Sequence, residues 1–219
     1  MMFEYLGIKI RWFGHDTFTL EKGITICIDP YKLSKTISAD IVLISHNHFD
    51  HLSLGDLEKV TSKNTIIVTA NECLPQIVNI SSKDKVGIAP GEEKTINNIK
   101  IKAISAYNID KINPDTKKPF HPKEDKKVGF MITIQGVSIY HTGDSDLIPE
   151  MNDLKPDILL VPVSGTYVMT AKEAANAIEK IKPKIAIPMH YGTIVGSEKD
   201  AKEFKEMTKS CEVQILTKE

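Results

Sequence analysis

Short apolar runs, several of them alternating with polar residues, recur along the chain and predict β-strands. Gly, Asn, Asp or Pro bounds many of these runs, as is typical of strands joined by turns. In the first half the runs are GIKIRWF, DTFTLE, GITICIDP, DIVLIS, NTIIVTA, KVGIA and NIKIKAIS. In the second half the pattern continues with VGFMITI, VSIYHTGD, PDILLVPVSG, KIAIPMH and CEVQIL.

Three further segments favour helices. LSLGDLEKVTS spaces its apolar residues at helical intervals, and Ser53 is a candidate N-cap. TAKEAANAIEKIK starts with the capping-box pattern Thr170-x-x-Glu173 and ends before Pro183. SEKDAKEFKEMTKS is rich in helix formers. Because each half combines strands with attached helices, and no repeat of fixed length is visible, we predict one α/β domain over residues 1–219. Its architecture would be a four-layer sandwich of two sheets covered by helices.

Residues 108–127, NIDKINPDTKKPFHPKEDKK, interrupt the strand pattern. Pro, Asn, Asp and Lys dominate this segment and predict a long exposed loop. Loops of this length are uncommon in compact domains unless they serve a site or are disordered.

Composition narrows the class of protein. The chain is 41% hydrophobic and 26% charged with a formal net charge of −1, which gives no electrostatic argument for a nucleic-acid or membrane partner. No signal peptide and no apolar run of about 20 residues is visible, so we expect a cytoplasmic protein acting on a small molecule. A homo-oligomer is left open. The cysteines have no CxxC pairing and are expected to be reduced thiols; they are Cys27, Cys73 and Cys211.

The segment ISHNHFDHLS directly follows the apolar run DIVLIS and concentrates four candidate metal ligands: His46, His48, Asp50 and His51. His46 and His48 are one residue apart, so in an extended turn their side chains lie on the same side. Asp50 and His51 present a second face. One short segment can therefore serve two neighbouring metal ions, and imidazole with carboxylate suits Zn²⁺, Mn²⁺ or Fe²⁺.

Two later strand ends carry further candidates. Asp144 in VSIYHTGDSD follows a strand and a glycine, and His190 ends KIAIPMH. Alone, either residue is more often structural, but strand ends at one edge of a sheet commonly gather a site. Together with the first segment they predict a metal centre.

SHNHFDH, TGD and PMHYGT, in this order, resemble the metallo-β-lactamase-fold hydrolases. IKIRWFGHDTFTLE with ITICIDP is similar to the N-terminal strands of that superfamily, in particular of its small UlaG-like zinc-dependent hydrolases. The resemblance covers essentially the whole chain. It implies an αβ/βα sandwich with a metal site at one edge of the two sheets.

The resemblance also implies a set of ligands. His46 and His48 would bind a first metal, Asp50, His51 and His190 a second, and Asp144 would bridge the two. Family members often have a further histidine where this chain has Tyr107 and Asn108. The first metal is therefore short of a ligand unless His121 folds back from the loop or a water takes the position. His121 as a surface residue and binding of a single metal both stay open.

Together, the candidate ligands and the family resemblance predict a metal-dependent hydrolase. In it the metal would activate a water that cleaves an ester, lactone or phosphodiester bond. Asp50 would orient that water, and His15, Tyr107 and His121 are candidates for the proton donor. His141 is interpreted as a core or supporting histidine. The alternatives are a non-catalytic metal-binding or ligand-sensing protein, or a nucleic-acid-processing phosphodiesterase. A flavodiiron-type enzyme would be expected to carry Glu in place of His48.

Overall fold

The computed structural model describes residues 2–219, and the chain divides into two compact units. The first unit runs through Ala89 and includes Leu216–Glu219, and the second unit is Pro90–Ile215. Each unit is built on one seven-stranded mixed sheet. None of the helices in residues 2–219 combines the length and the apolar character that crossing a membrane requires.

The sheet of the first unit follows chain order. Its strands are β1 (Phe3–Tyr5), β2 (Ile8–Gly14), β3 (Thr17–Glu21), β4 (Thr25–Ile28), β5 (Ile41–Ile44), β6 (Ile66–Ala70) and β7 (Asp84–Ile88). The links from β1 to β4 are antiparallel, and those from β4 to β7 are parallel. Helix α1 (Leu54–Val60) joins β5 to β6, and a 3₁₀ segment (Asn71–Gln76) joins β6 to β7.

The sheet of the second unit repeats this scheme. Its strands are β8 (Glu93–Ile96), β9 (Ile99–Ser105), β10 (Val128–Ile134), β11 (Val137–His141), β12 (Ile158–Pro162), β13 (Ile185–Met189) and β14 (Glu212–Val213). The first three links are again antiparallel and the last three parallel. Helices α2 (Ala171–Ile181) and α3 (Glu198–Met207) follow β12 and β13, and 3₁₀ segments occupy Lys123–Asp125 and Pro149–Met151. The two units thus share one pairing order without a visible sequence repeat.

Burial explains why these runs form strands. Every residue of β5, β12 and β13 is buried, as expected for parallel strands covered on both faces, whereas β9 begins with the buried–exposed alternation of a half-buried strand. Sequence reasoning missed β1 and the short, charged β8, and it made CEVQIL longer than the two-residue β14.

The helix starts agree with the predicted caps, with one difference. Thr170 accepts from the backbone N–H of Glu173 and completes a capping box. Ser53 is the N-cap of α1, but its hydroxyl donates to Asp56 Oδ2 (2.8 Å) and accepts no backbone hydrogen bond from the helix.

Residues 108–127 are more ordered than a plain loop. The backbone N–H of Asn108 donates to His121 O (2.9 Å), and Phe120 N donates to Lys111 O (3.0 Å). A bridge joins Ile112 to Pro119, so the segment is an irregular hairpin with its turn at residues 113–118. The turn is mostly exposed, as predicted, but the hairpin brings His121 back to a buried position opposite Asn108.

Candidate metal centre

Strand ends place the candidate residues of the first unit. Strands β4 and β5 are parallel neighbours, so their carboxyl ends lie at the same edge of the sheet. Asp29 directly follows β4, and the segment from Ser45 to His51 directly follows β5. Asp29 and His46 are both buried, and His51 is fully buried. The sheet edge therefore gathers the buried carboxylate of Asp29 with the buried histidines His46 and His51, and the partly buried His48 lies between them in the chain.

The histidine rings of the first unit are close together. The ring centroids of His46 and His51 are 4.0 Å apart, those of His46 and His48 are 4.6 Å apart, and those of His15 and His51 are 5.5 Å apart. One ligand atom from each of His15, Asp16 and His51 lies within 4.8 Å of the others, and the same holds for His46 and His48. Within each of these two sets, the spacing is compatible with ligands of one shared ion.

Hydrogen bonds determine which ring nitrogen of His46 and of His51 carries the proton. His51 Nδ1 lies 2.8 Å from Asp29 Oδ2, and Ser45 Oγ donates to the same oxygen at 2.6 Å. Because the single hydroxyl proton of Ser45 goes to Asp29, its oxygen accepts from His46 Nδ1 at 2.9 Å. Both Nδ1 atoms therefore carry the proton, and in the neutral rings the Nε2 atoms carry the lone pair that a metal needs.

Like Asp29, Asp16 is a site residue that sequence reasoning missed. Its carboxylate is fully buried, and Oδ2 lies 3.4 Å from His51 Nε2 and 3.8 Å from His15 Nε2. Asp50 Oδ2 is 4.0 Å from His51 Nε2 but only 2.9 Å from His15 Nε2. Asp16 thus lies closer than Asp50 to Nε2 of His51, whose Nδ1 is bound by Asp29, and Asp50 is paired with His15. The only signal in the sequence was the His-Asp pair after Gly14, at a turn where both Gly14 and His15 have positive φ.

The second unit holds a compact cluster of its own. Gly143, with φ of +60°, turns the chain after β11 and delivers Asp144, while His190 directly follows β13. Asp144 Oδ2 lies 3.2 Å from His121 Nε2 and 3.3 Å from His190 Nε2, and all three side chains are buried. Ser164 Oγ lies 2.9 Å from His190 Nδ1. The interpretation of His121 as a surface residue is therefore wrong.

These residues fit a divalent metal. In the second unit two imidazole Nε2 atoms face one carboxylate oxygen, an arrangement that is stable when a cation is shared between them. In the first unit His46 and His51 have Nδ1 held by a hydroxyl and a carboxylate, respectively, which is the usual support of metal-ligating imidazoles. The donor set is nitrogen and oxygen without thiolate, because neither cluster contains a cysteine; Cys27 and Cys73 are buried, and no disulfide is formed within residues 2–219. Imidazole and carboxylate suit Zn²⁺, Mn²⁺ and Fe²⁺.

Two further residues named from the sequence, Tyr107 and His141, form other hydrogen bonds. The Tyr107 hydroxyl donates to Glu150 Oε2 (3.0 Å), with Lys123 Nζ at 3.4 Å, so its proton is engaged by a carboxylate that belongs to neither cluster. Burial and the hydrogen bond to Glu150 raise the pKa of Tyr107, which makes it a weaker proton donor. His141 is fully buried, and its Nδ1 accepts from Gly143 N (3.2 Å), in keeping with the interpretation of a core histidine.

Comparisons with known proteins agree with this chemistry. A family model described as a beta-lactamase superfamily domain matches residues 9–190. A UPF0173 metal-dependent hydrolase of Archaeoglobus fulgidus is 30% identical over 225 residues, covering 95% of this chain and 96% of the relative.

Solved structures extend the comparison to the fold. A crystal structure from Parabacteroides distasonis is similar with a TM-score of 0.82 at 30% identity, covering 99% of this chain and 98% of its own. The metallo-beta-lactamase fold protein YhfI of Bacillus subtilis has a TM-score of 0.71 at 17% identity, covering 96% of both chains, and so shows the fold alone. The predicted α/β metallo-β-lactamase fold is confirmed.

Proposed function

Because the chain belongs to the β-lactamase superfamily and is a metal-dependent hydrolase, we propose that it cleaves an ester, lactone or phosphodiester bond of a small molecule. The observation that carries the proposal is the pair of histidine–carboxylate clusters, in each of which two buried imidazoles are held at Nδ1: His46 and His51 in the first unit, His121 and His190 in the second. When bound, the metal supplies Lewis acidity and a water whose pKa is lowered toward neutrality.

We assign ligand roles in both units. The first unit offers His46, His48 and His51 with the buried carboxylate of Asp16, 3.4 Å from His51 Nε2, and Asp50 stays a candidate from the family resemblance. The second unit offers His121, Asp144 and His190. Zinc is the metal we favour, since its preferred ligands are imidazole and carboxylate and it needs no redox chemistry for hydrolysis.

The pair formed by His15 and Asp50 is proposed to handle protons and orient the attacking water. His15 is fully buried and Asp50 is partly exposed, so their 2.9 Å hydrogen bond runs from the interior toward solvent. The Asp50 side chain is 13% exposed, which leaves it accessible to water or substrate. Tyr107 is less suited to this role, because its hydroxyl donates to Glu150.

Metal content and a substrate screen test the proposal. Elemental analysis of purified protein is expected to find at least one transition metal per chain, and the His46→Ala/His48→Ala variant is expected to lose it. Asp56→Asn is the matched control, because Asp56 is a buried carboxylate of the same unit whose hydrogen bonds come from Lys32, Leu33, Ser53 and Lys59. The metal-loaded protein is then screened against ester, lactone and phosphodiester substrates, with a chelator as the negative control. Unchanged metal in the double variant, or no chelator-sensitive turnover in any class, would contradict the proposal.

A further inference from the structure

His121 and Asn108 face each other across the base of the hairpin. Asn108 Oδ1 accepts from both the backbone N–H of His121 (2.9 Å) and its ring Nδ1 (2.8 Å). The Asn108 backbone N–H donates to His121 O at 2.9 Å. Three hydrogen bonds between two buried residues hold the ring in one place.

A third residue fixes the orientation of the Asn108 amide. Its Nδ2 donates to the backbone carbonyl of Tyr167 at 2.9 Å. A carbonyl oxygen can only accept, so Nδ2 must face Tyr167 and Oδ1 must face His121. The amide therefore cannot flip without losing the bond to Tyr167 and setting its NH₂ against two N–H donors.

This orientation determines the tautomer of His121. Oδ1 of an amide only accepts, so His121 Nδ1 carries the proton and Nε2 of the neutral ring carries the lone pair. Nε2 lies 3.2 Å from Asp144 Oδ2. The Nε2 lone pair thus lies beside a carboxylate oxygen, and a cation at this position would be bound by both the imidazole and the carboxylate.

We propose that Asn108 is a positioning residue that, together with the Tyr167 carbonyl, presets His121 as a metal ligand from the 108–127 hairpin. This inference rests on the proposed metal-binding role of the second unit. The hairpin itself is anchored independently: Lys111 Nζ contacts Glu173 Oε1 at 2.8 Å. The ring of Phe120 packs against Tyr167 at 4.8 Å between centroids. Asn108 is therefore not required merely to attach the hairpin to its unit.

Three variants separate positioning from attachment. Asn108→Leu removes the acceptor at similar volume, and Asn108→Asp keeps an acceptor for His121 but loses the donor to Tyr167. Asn113→Leu is the matched control, because Asn113 accepts from Asp115 N (2.8 Å) and Thr116 N (3.3 Å) in the turn of the same hairpin. Zn²⁺ affinity is measured by competition with a chromophoric chelator. The His121 tautomer is read from long-range ¹H–¹⁵N imidazole correlations of the metal-free protein.

We expect Asn108→Leu to weaken Zn²⁺ binding by about 10–100-fold, the range seen when support of a ligating histidine is removed. Its spectrum should show loss of the pure Nδ1–H tautomer. Asn108→Asp should stay within about threefold of wild type and keep that tautomer, and Asn113→Leu should change neither readout.

Wild-type Zn²⁺ affinity with an Nδ1–H ring in Asn108→Leu would overturn the inference. So would equal losses in Asn108→Leu and Asn108→Asp, or an equal loss in Asn113→Leu, since these point to attachment of the hairpin. The tautomer readout needs no substrate. A wild-type protein that binds Zn²⁺ but hydrolyses nothing would therefore refute the proposed function and leave this inference standing.

Discussion

Replacing the buried carboxylate of Asp29 by an amide is expected to weaken metal binding although Asp29 is not itself assigned as a ligand. In the wild-type protein Ser45 N donates to Asp29 Oδ1 at 2.8 Å, and in Asp29→Asn the amide oxygen can still accept this hydrogen bond. The NH₂ group then replaces Oδ2 and meets the N–H at His51 Nδ1, which Oδ2 accepts at 2.8 Å. Two donors cannot bond, so the His51 proton is driven to Nε2, where it blocks the lone pair offered to a metal.

The size of the effect follows from the bond that is lost. A hydrogen bond to a charged group contributes about 1.5–3 kcal/mol. Since about 1.4 kcal/mol corresponds to a factor of ten, the metal affinity should fall by about 10–150-fold. This range overlaps the 10–100-fold effect typical of losing a residue that supports a metal-ligating histidine.

Chelator competition with Zn²⁺ measures the affinity, and urea unfolding of the metal-free protein measures stability separately. Asp56→Asn serves again as control, because Asp56 accepts from Lys32 N (2.8 Å), Leu33 N (3.1 Å) and Lys59 Nζ (2.9 Å) without any histidine. It should lose stability while keeping its Zn²⁺ affinity. The reasoning is refuted if folded Asp29→Asn binds Zn²⁺ as wild type does, or if Asp56→Asn loses as much affinity.

Three further predictions concern the second unit. A Cβ on Gly129 would clash with the backbone carbonyl of Thr142, so Gly129→Ala should displace the turn that delivers Asp144 and lower metal affinity. Gly55→Ala, where a Cβ meets nothing within 4 Å and φ is not positive, is the control in metal titrations. Thr170→Ala should destabilise the metal-free protein to urea by about 0.5–2 kcal/mol, because it removes the side-chain cap of α2; no change would contradict the cap. Burial raises the pKa of Asp157, but the hydrogen bond from Lys184 and further hydrogen bonds outweigh it and hold that pKa below its usual value. The carboxylate therefore stabilises the fold above its unfolded pKa of about 3.9, and the contribution is lost as pH falls through the lower folded value. Asp157→Asn should flatten the unfolding free energy against pH in that acid range, and an unchanged slope would count against the assignment.

The strands and the first ligand cluster could be predicted because their signals are local. The buried strands are continuous apolar runs, and His46, His48 and His51 fall directly after one of them. One segment of the sequence is therefore enough to predict metal binding. The family comparison, which matches residues 9–190, agrees with that interpretation.

The remaining parts of the site depend on non-local geometry. Asp16 reaches His51 only because a turn with positive φ at Gly14 and His15 turns the chain after β2, and no spacing in the sequence specifies that turn. The pairing of Asn108 with His121 depends on hairpin register, which a Pro- and Lys-rich composition does not reveal. The charged strand β8 was missed for a related reason: an edge strand needs little apolar pattern.

In the hairpin, the sequence and length of the turn can vary, whereas the pairing of Asn108 with His121 at its base must be kept. Its turn at residues 113–118 is mostly exposed, and its backbone hydrogen bonds close within the turn itself. Insertions or deletions there leave the pairing of Asn108 with His121 at the base unchanged, since a longer loop adds little closure cost. Related chains are thus free to diverge in length and chemistry at the turn, and an engineer could graft a peptide there. An insertion of one residue in either arm would instead shift His121 away from Asn108.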